Sequence, residues 1–354
     1  MALTHLRLEN VRCLAAAELE LHPGHNLILG ANGAGKTSLL EAIHLLGRGR
    51  SFRTRRTEAL LRHGSSGLWV AGQTDSAGGL AHRLHVSCVA GEGVEARIDS
   101  RTASSLAELA EVFAVQAIDP GIHRLVEEGP VARRRWLDWA VFHVEPGFVP
   151  AWQDYGRALR QRNAALRANE DPLPWTRELI RLGERLTTAR ARLLEGLQPL
   201  WLEMRTALDA VPASLSFYPG WRREQTLTEA LERHLGRDRI QGVTTVGPHR
   251  FDALLRIEGR AARDVVSRGQ QKLLGAALAL VMARYVAQAR GQAPTLLLDD
   301  PAAELDEAHT QALLTAVRAT GAQLVITALH PDDPQLGAPD RAFHVERGEV
   351  RQRL

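Results

Sequence analysis

The 354-residue sequence predicts an α/β fold in which a head built on a parallel sheet carries an antiparallel β subdomain and is split by an inserted helical arm. Three observations predict it. "GANGAGKT" (Gly30 to Thr37) follows the apolar run "NLIL" and opens a helical pattern, a strand–loop–helix succession. "TLLLDD" and "AQLVITA" are short continuous apolar runs, as expected of strands covered on both faces. From about Val131 to Val211 strand signals vanish and helical stretches rich in Arg, Leu and Ala replace them. The head is therefore assigned residues 1–120 and 243–354, and the arm residues 121–242.

Each element has its own signal. "THLRLENV", "AELEL" and "HNLILG" read as strands. The helix after Lys36 places Leu39, Leu40, Ile43 and Leu46 on one face, with Gly47 as its stop. Residues 68–100 hold two or three antiparallel strands between Gly-rich turns, and 104–113 a short helix. The arm helices break at "EPG" and "NEDPLP"; Arg177, Arg181 and Arg185, four apart, mark a solvated stripe. Strands resume with "VTTVGPHRFDALLRI" past residue 243, and a long helix follows Ser267.

Composition narrows the class. At 45% apolar and 24% charged the chain sits near the globular average. No apolar run of about 18 residues stands out, so a membrane span is not expected, and "MALTHLRLENVR" lacks the apolar core of a signal peptide. Two cysteines, Cys13 and Cys88, fit a reducing cytoplasm and read as small buried hydrophobes rather than a redox pair. Among 44 basic residues only Lys36 and Lys272 are lysines. A G+C-rich genome explains that bias, yet Lys36 also occupies a place where only a thin stem fits.

The chemistry concentrates in three places. Gly30, Ala31, Asn32, Gly33, Ala34, Gly35, Lys36, Thr37 and Ser38 form a phosphate loop, with backbone N–H groups and a helix start turned toward a nucleotide. Lys36 is expected to reach the β- and γ-phosphates, and Thr37 to ligate Mg²⁺ beside ATP. At the end of "TLLL", Asp299 is placed to hold Mg²⁺ and Asp300 to orient or deprotonate water. A pair of helix-capping acids is the competing reading, because Pro301 could begin a helix. The third place is "SRGQQ": Ser267 and Gln270 form an S-x-x-Q capping pattern. Capping leaves Gly269 unexplained, since glycine there costs about 1 kcal/mol relative to alanine; a phosphate approaching the backbone would explain it.

Ser267, Arg268, Gly269 and Gln270 resemble a variant of the ABC-type signature, and "PAAELD", ending at Asp306, resembles the D-loop of the same superfamily. That resemblance implies an ABC-type ATPase head whose signature closes on the nucleotide of a second copy, making an ATP-dependent homodimer. The signature lies farther from the phosphate loop than in transporter heads, and the arm is too short for SMC coiled coils. Over nearly its full length the chain resembles the RecF family of bacterial recombination mediators, through "LRLENVR", "GANGAGKTSLLEAIHLLGRGRSFRT", "QRNAAL", "GPHR", "SRGQQK" and "LLLDDPAAELD". The resemblance implies a slow, DNA-stimulated ATPase of recombinational repair and replication-fork recovery. It would bind single-stranded DNA and single-strand/double-strand junctions and work with RecR and RecO to load RecA. Two departures from the ABC pattern matter. Asp300 stands where transporters carry Glu, and no histidine ends "LVITA", where Thr327 and His330 are the nearest sensors. Gln116 is assigned to the metal as a Q-loop residue by position alone. An energy-coupling subunit of a transporter is the alternative.

DNA contact is expected at "GRGRSFRTRRTEALLR", where Arg48, Arg50, Arg53, Arg55, Arg56 and Arg62 face one acid, Glu58. Such clusters bind phosphate backbones by counterion release; a solvated basic loop is the plainer reading. A second cluster, Arg133 to Arg135, opens the arm.

Overall fold

The computed structural model describes residues 2–54, 56–75, 81–303, 305–330 and 334–353, so Arg55 and Glu304 lie outside the described residues. Two compact units emerge. One comprises Met1–His123, Thr206–Ala210 and Lys272–Leu354; the other comprises Arg124–Arg205 and Val211–Gln271.

The first unit opens with β1 (Ala2–Val11), β2 (Leu14–Glu20) and β3 (His25–Leu29). In β1, Leu6 and Leu8 are buried while Arg7 and Glu9 face solvent, the period-two pattern of a half-buried strand. Helix α1 (Lys36–Arg48) follows the phosphate loop, then β4 (Gly67–Asp75), β5 (Ala81–Val89), β6 (Gly93–Ile98), β7 (Arg101–Thr102), α2 (Ala107–Val112) and β8 (Val115–Ile118). The antiparallel sheet runs β2-β1-β4-β5-β6-β7.

Helix α1 is not amphipathic in the way its sequence suggests. It packs against β1, β4 and β5 on one side and β8 on another, so Glu41, His44 and Leu45 are buried along with the expected leucines. Its five aliphatic residues Leu39, Leu40, Ile43, Leu45 and Leu46 are fully buried, each worth about 1.5–3 kcal/mol. The helix ends not at Gly47 but at Gly49, whose φ is 63°. Gly47 serves close packing instead: a Cβ there would lie 2.5 Å from Val115 Cγ1 and 2.6 Å from the Phe113 carbonyl.

The second unit holds α3 (Arg124–Glu127), α4 (Pro130–Val144), α5 (Phe148–Ala168), the body of α6 (Leu173–Ala207), β9 (Ser214–Tyr218), α7 (Leu227–Gln241), β10 (Asp252–Ile257) and β11 (Arg260–Ala261). Three ion pairs with little exposure tie it together: Arg133–Asp252 at 2.9 Å, Arg162–Asp238 at 2.8 Å and Arg190–Asp138 at 2.7 Å. Residues 243–271, expected in the head, pack here instead, because β10 pairs with β9 and Asp252 takes both prongs of Arg133. "VTTVG" is not strand. Thr244 gives its N–H and hydroxyl to Asn163, and Thr245 gives both of its donors to Asp238, which leaves no ladder for that stretch.

Helix α8 (Arg268–Arg290) leads back into the first unit, followed by β12 (Thr295–Leu298), α9 (Glu307–Arg318), β13 (Leu324–Ala328), β14 (Arg341–Glu346) and β15 (Glu349–Arg353). The mixed sheet runs β15-β14-β3-β13-β12-β8, with β15 alone antiparallel to its neighbour. Also packed against β13 of this sheet, α1 lies between two sheets of its unit. By length and composition alone α8 would be apolar enough to cross a membrane. Most of its apolar stretch is buried, so its apolar length fills the interior of a globular unit.

Candidate nucleotide site

The site lies where strands β3, β12 and β13 end side by side, at the carboxyl edge of a parallel sheet where ligands gather. Ala31, Asn32 and Gly33 are exposed at the rim of the loop, whereas Gly30 and Ala34 through Lys36 are buried. Gly30 has a φ of 157°, and a Cβ there would lie 2.3 Å from the Val345 carbonyl. Helix α1 has Gly35 at its N-cap, with no side-chain cap and no acid in its first turn, so its leading N–H groups remain available to an anion. Ser38 is buried behind the loop, its hydroxyl 3.8 Å from Cys13 Sγ.

Lys36, only 5% exposed, folds back to donate to the carbonyls of Gly30 at 2.7 Å and Ala31 at 3.4 Å. Its ammonium is 3.8 Å from Asp300 Oδ2. The Thr37 hydroxyl donates to Asp299, 3.0 Å from each carboxylate oxygen. Thr327, last but one in β13, gives its hydroxyl to Asp299 Oδ1 at 3.0 Å and accepts the Asp300 N–H at 2.8 Å. Asp300 holds a left-handed backbone, φ 47°, unusual outside glycine. Burial pushes the Asp299 carboxyl up; the Thr327 and Thr37 hydroxyls pull it down, and Asp300 and Asp119 raise it further. A buried carboxylate beside a partly exposed one, facing a hydroxyl, is an oxygen donor set suited to a hard divalent cation. Pro301 does begin a short 3-10 helix, Pro301–Ala303, directly after the pair, while the Asp299 carboxylate is taken up by the Thr37 and Thr327 hydroxyls.

Gln116 does not reach this place. It sits inside β8, level with Leu296, and its amide approaches the neighbouring Ala117 carbonyl at 3.5 Å. Asp119, directly after β8, does reach it: Asp119, Lys272, Asp299 and Asp300 line one crevice. The sequence reading missed Asp119, although its place just past a strand end was the available signal. Thr327, a candidate sensor in the sequence, makes two bonds that orient both acids.

The capping reading of "SRGQQ" holds within the chain. Ser267 Oγ accepts the Gln270 N–H at 3.3 Å, and Gln270 Oε1 accepts the Ser267 N–H at 3.2 Å. Ser267, Arg268 and Gly269 are exposed. A Cβ on Gly269 would meet only Ser267 Oγ, at 4.0 Å, so nothing in its own surroundings calls for glycine. Asp306 is exposed and caps α9, accepting the His309 N–H at 2.9 Å.

The arginines separate into classes. Arg50, Arg53, Arg56 and Arg62 are exposed, but Arg48 is half-buried in the last turn of α1, where burial and Arg50 pull its pKa down. The second cluster does not form a surface patch. Arg133 is buried against Asp252, Arg134 donates to the Phe251 carbonyl, and only Arg135 is exposed.

Residues 2–347 match the family model described as RecF/RecN/SMC N terminal domain. The DNA replication and repair protein RecF of Pseudomonas aeruginosa (strain LESB58) is 39% identical over 361 residues, covering 99% of this chain and 98% of the relative. The protein of the same name from Edwardsiella ictaluri (strain 93-146) is 38% identical over 356 residues, with 99% of each covered. Among solved structures, the recombination mediator protein RecF with ATP, of the RecFOR pathway, superposes with a TM-score of 0.88 at 25% identity, covering 100% of this chain and 98% of that one. An Smc head bound to the C-winged helix domain of ScpA gives 0.62 at 14% identity, covering 100% and 97%, a likeness of fold alone. These matches do not favour the transporter alternative. With a family model spanning almost every residue and relatives matched end to end, the chain belongs to the RecF family.

Proposed function

We propose that this protein is an ATP-binding switch of recombinational DNA repair, which closes into a dimer on ATP, holds DNA and hydrolyses the nucleotide slowly. One observation carries the reading: Thr37 and Asp299, far apart in sequence, meet at 3.0 Å at the mouth of an uncapped helix start. The relatives support it, since a RecF of the same fold is described with ATP.

Mg²⁺, when bound, neutralises charge on the phosphate oxygens. Thr37 and Asp299 are the residues that would hold it, and Lys36 would leave the Gly30 carbonyl for a phosphate. Asp300 is the base or water-orienting group. As one methylene less than Glu it reaches a shorter way toward water, which suits a slow switch rather than a fast motor. Ser267, Gly269 and the N-terminus of α8 would close over the triphosphate of a second copy, for which the open space at Gly269 leaves room. Arg50, Arg53 and Arg56, with Arg62, would contact the DNA backbone rather than its bases, because Phe52 is the lone aromatic among them. Arg55 is included by sequence only. Family membership supports work in the cytoplasm with RecR, RecO and RecA.

Ser267→Arg tests the shared nucleotide. The variant should bind ATP like the unmodified protein yet stay monomeric in sedimentation at saturating Mg·ATP. An unmodified protein that is itself monomeric under those conditions, with or without DNA, refutes the reading.

A further inference from the structure

A buried carboxylate outside the nucleotide site connects the phosphate-loop helix with the arginine loop. Glu41 lies on α1, past Lys36, with its side chain 1% exposed. Arg12, in the β1–β2 turn, grips it with both prongs: Nε to Oε2 at 3.0 Å and Nη2 to Oε1 at 2.9 Å. The Ser51 hydroxyl donates to Oε1 at 2.5 Å, and Arg53 Nη1 stands 4.0 Å from Oε2. Ser51 Oγ in turn accepts the N–H groups of Arg53 at 2.9 Å and Thr54 at 3.3 Å, fixing the start of the loop.

The far end of the loop is fixed by the same arginine. Arg12 donates its backbone N–H to the Leu60 carbonyl and Nη1 to the Ala59 carbonyl, both at 2.7 Å, and Arg62 N–H reaches the Asn10 carbonyl at 2.9 Å. Both anchors of the loop thus converge on one ion pair. A buried carboxylate stripped of its partners is strongly unfavourable, so the anchors travel with Glu41. Packed against strands of two sheets with its aliphatic residues fully buried, α1 is expected to shift as a unit rather than deform locally.

We propose that the Arg12–Glu41 pair is a pin that transmits the nucleotide state of the phosphate loop to the arginine loop, residues 49–62. Glu41 is a positioning residue, touching neither nucleotide nor DNA. In its DNA consequence the inference rests on the function proposed above; in its conformational part it does not.

The experiment uses the full chain, comparing the unmodified protein with Glu41→Gln and Ser51→Ala. Amide hydrogen exchange is followed with and without Mg·ATP. ATP should slow exchange in 49–62 of the unmodified protein, and that response should shrink roughly fivefold or more in both variants. Protection of residues 35–38 should stay equal in all three, showing that binding is intact. In turnover assays, DNA stimulation should fall about tenfold in Glu41→Gln while basal turnover changes less than about twofold. The pin is refuted if 49–62 responds to ATP equally in all three proteins, or if basal and stimulated turnover fall by one factor. Should Glu41→Gln not fold, Ser51→Ala decides, because it leaves the Arg12 pair in place. If DNA has no effect on the unmodified protein while the exchange coupling is present, the DNA reading fails and the pin stands.

Discussion

Replacing Thr327 by valine should separate nucleotide binding from hydrolysis. The two side chains are nearly the same shape, so the change deletes a hydroxyl and little else. That hydroxyl donates to Asp299 at 3.0 Å and accepts the Asp300 N–H at 2.8 Å. A hydrogen bond to a charged group contributes about 1.5–3 kcal/mol and one between neutral groups about 0.5–1.5 kcal/mol. The second bond also holds Asp300 at φ 47°, a conformation costing a residue with a Cβ about 1–2 kcal/mol. The two terms nearly balance, so losing the bond frees Asp300 to relax away from its working position. If about half of the combined loss appears in the transition state, the barrier rises by about 1–2.3 kcal/mol, a fall in turnover of about 5- to 50-fold. Single-turnover hydrolysis, with nucleotide affinity measured separately, reads this directly. Affinity should stay within about twofold, because Thr327 touches neither Lys36 nor the loop carbonyls. Thr327→Ser should recover most of the rate. Unchanged turnover in the valine variant, or matched losses of affinity and turnover, would refute the assignment of Thr327 as the residue that orients the two acids.

Other outcomes follow from features of the two units. His44 is buried with a pKa lowered to about 3, first by burial and then by Arg48. Its folded value lies below its unfolded one, so the unfolded chain takes up protons first as pH falls below about 6.5. Stability should therefore drop by up to about 1.4 kcal/mol per pH unit between there and about pH 3, and His44→Gln should remove that slope in urea titrations at several pH values; an unaltered slope contradicts the assignment. Asp252→Ala leaves the Arg133 guanidinium buried without its carboxylate and should cost about 3–5 kcal/mol in chemical denaturation. A loss well under 1 kcal/mol would mean the pair is hydrated. Asp299→Asn should lose the added thermal stability that saturating Mg·ATP confers, about 2.7 kcal/mol at a hundredfold excess over Kd; undiminished stabilisation removes Asp299 from the cation. Changing Arg50, Arg53 and Arg56 together to Ala should flatten the dependence of DNA affinity on salt, and an unchanged slope moves the DNA site elsewhere.

Much of this could be read before any coordinates. Period-two alternation gave β1, the strand–loop–helix succession gave the phosphate loop, and S-x-x-Q gave the reciprocal cap at Ser267 and Gln270. What escaped depends on partners distant along the chain. Arg133 looks like a DNA contact until Asp252 is seen beside it. Gly47 looks like a helix stop because the close approach of Phe113 and Val115 leaves no mark in its neighbourhood. "VTTVG" has the β-branched content of a strand, yet Asn163 and Asp238 take its donors. Helix α7 carries its signal locally, a full capping box between Thr226 and Glu229. Glu41 is the opposite case: one acid among leucines gives no hint that two arginines and a serine converge on it.

The order of strands in the mixed sheet bears on how the protein is made. β3 lies between β13 and β14, so during synthesis it waits, with both edges bare, until nearly the whole polypeptide has left the ribosome. The antiparallel sheet needs only residues 2–102 and can assemble early against one side of α1. Bare strand edges invite aggregation, and truncated nascent chains ending before residue 324 should be clients of chaperones, however well their first hundred residues have folded.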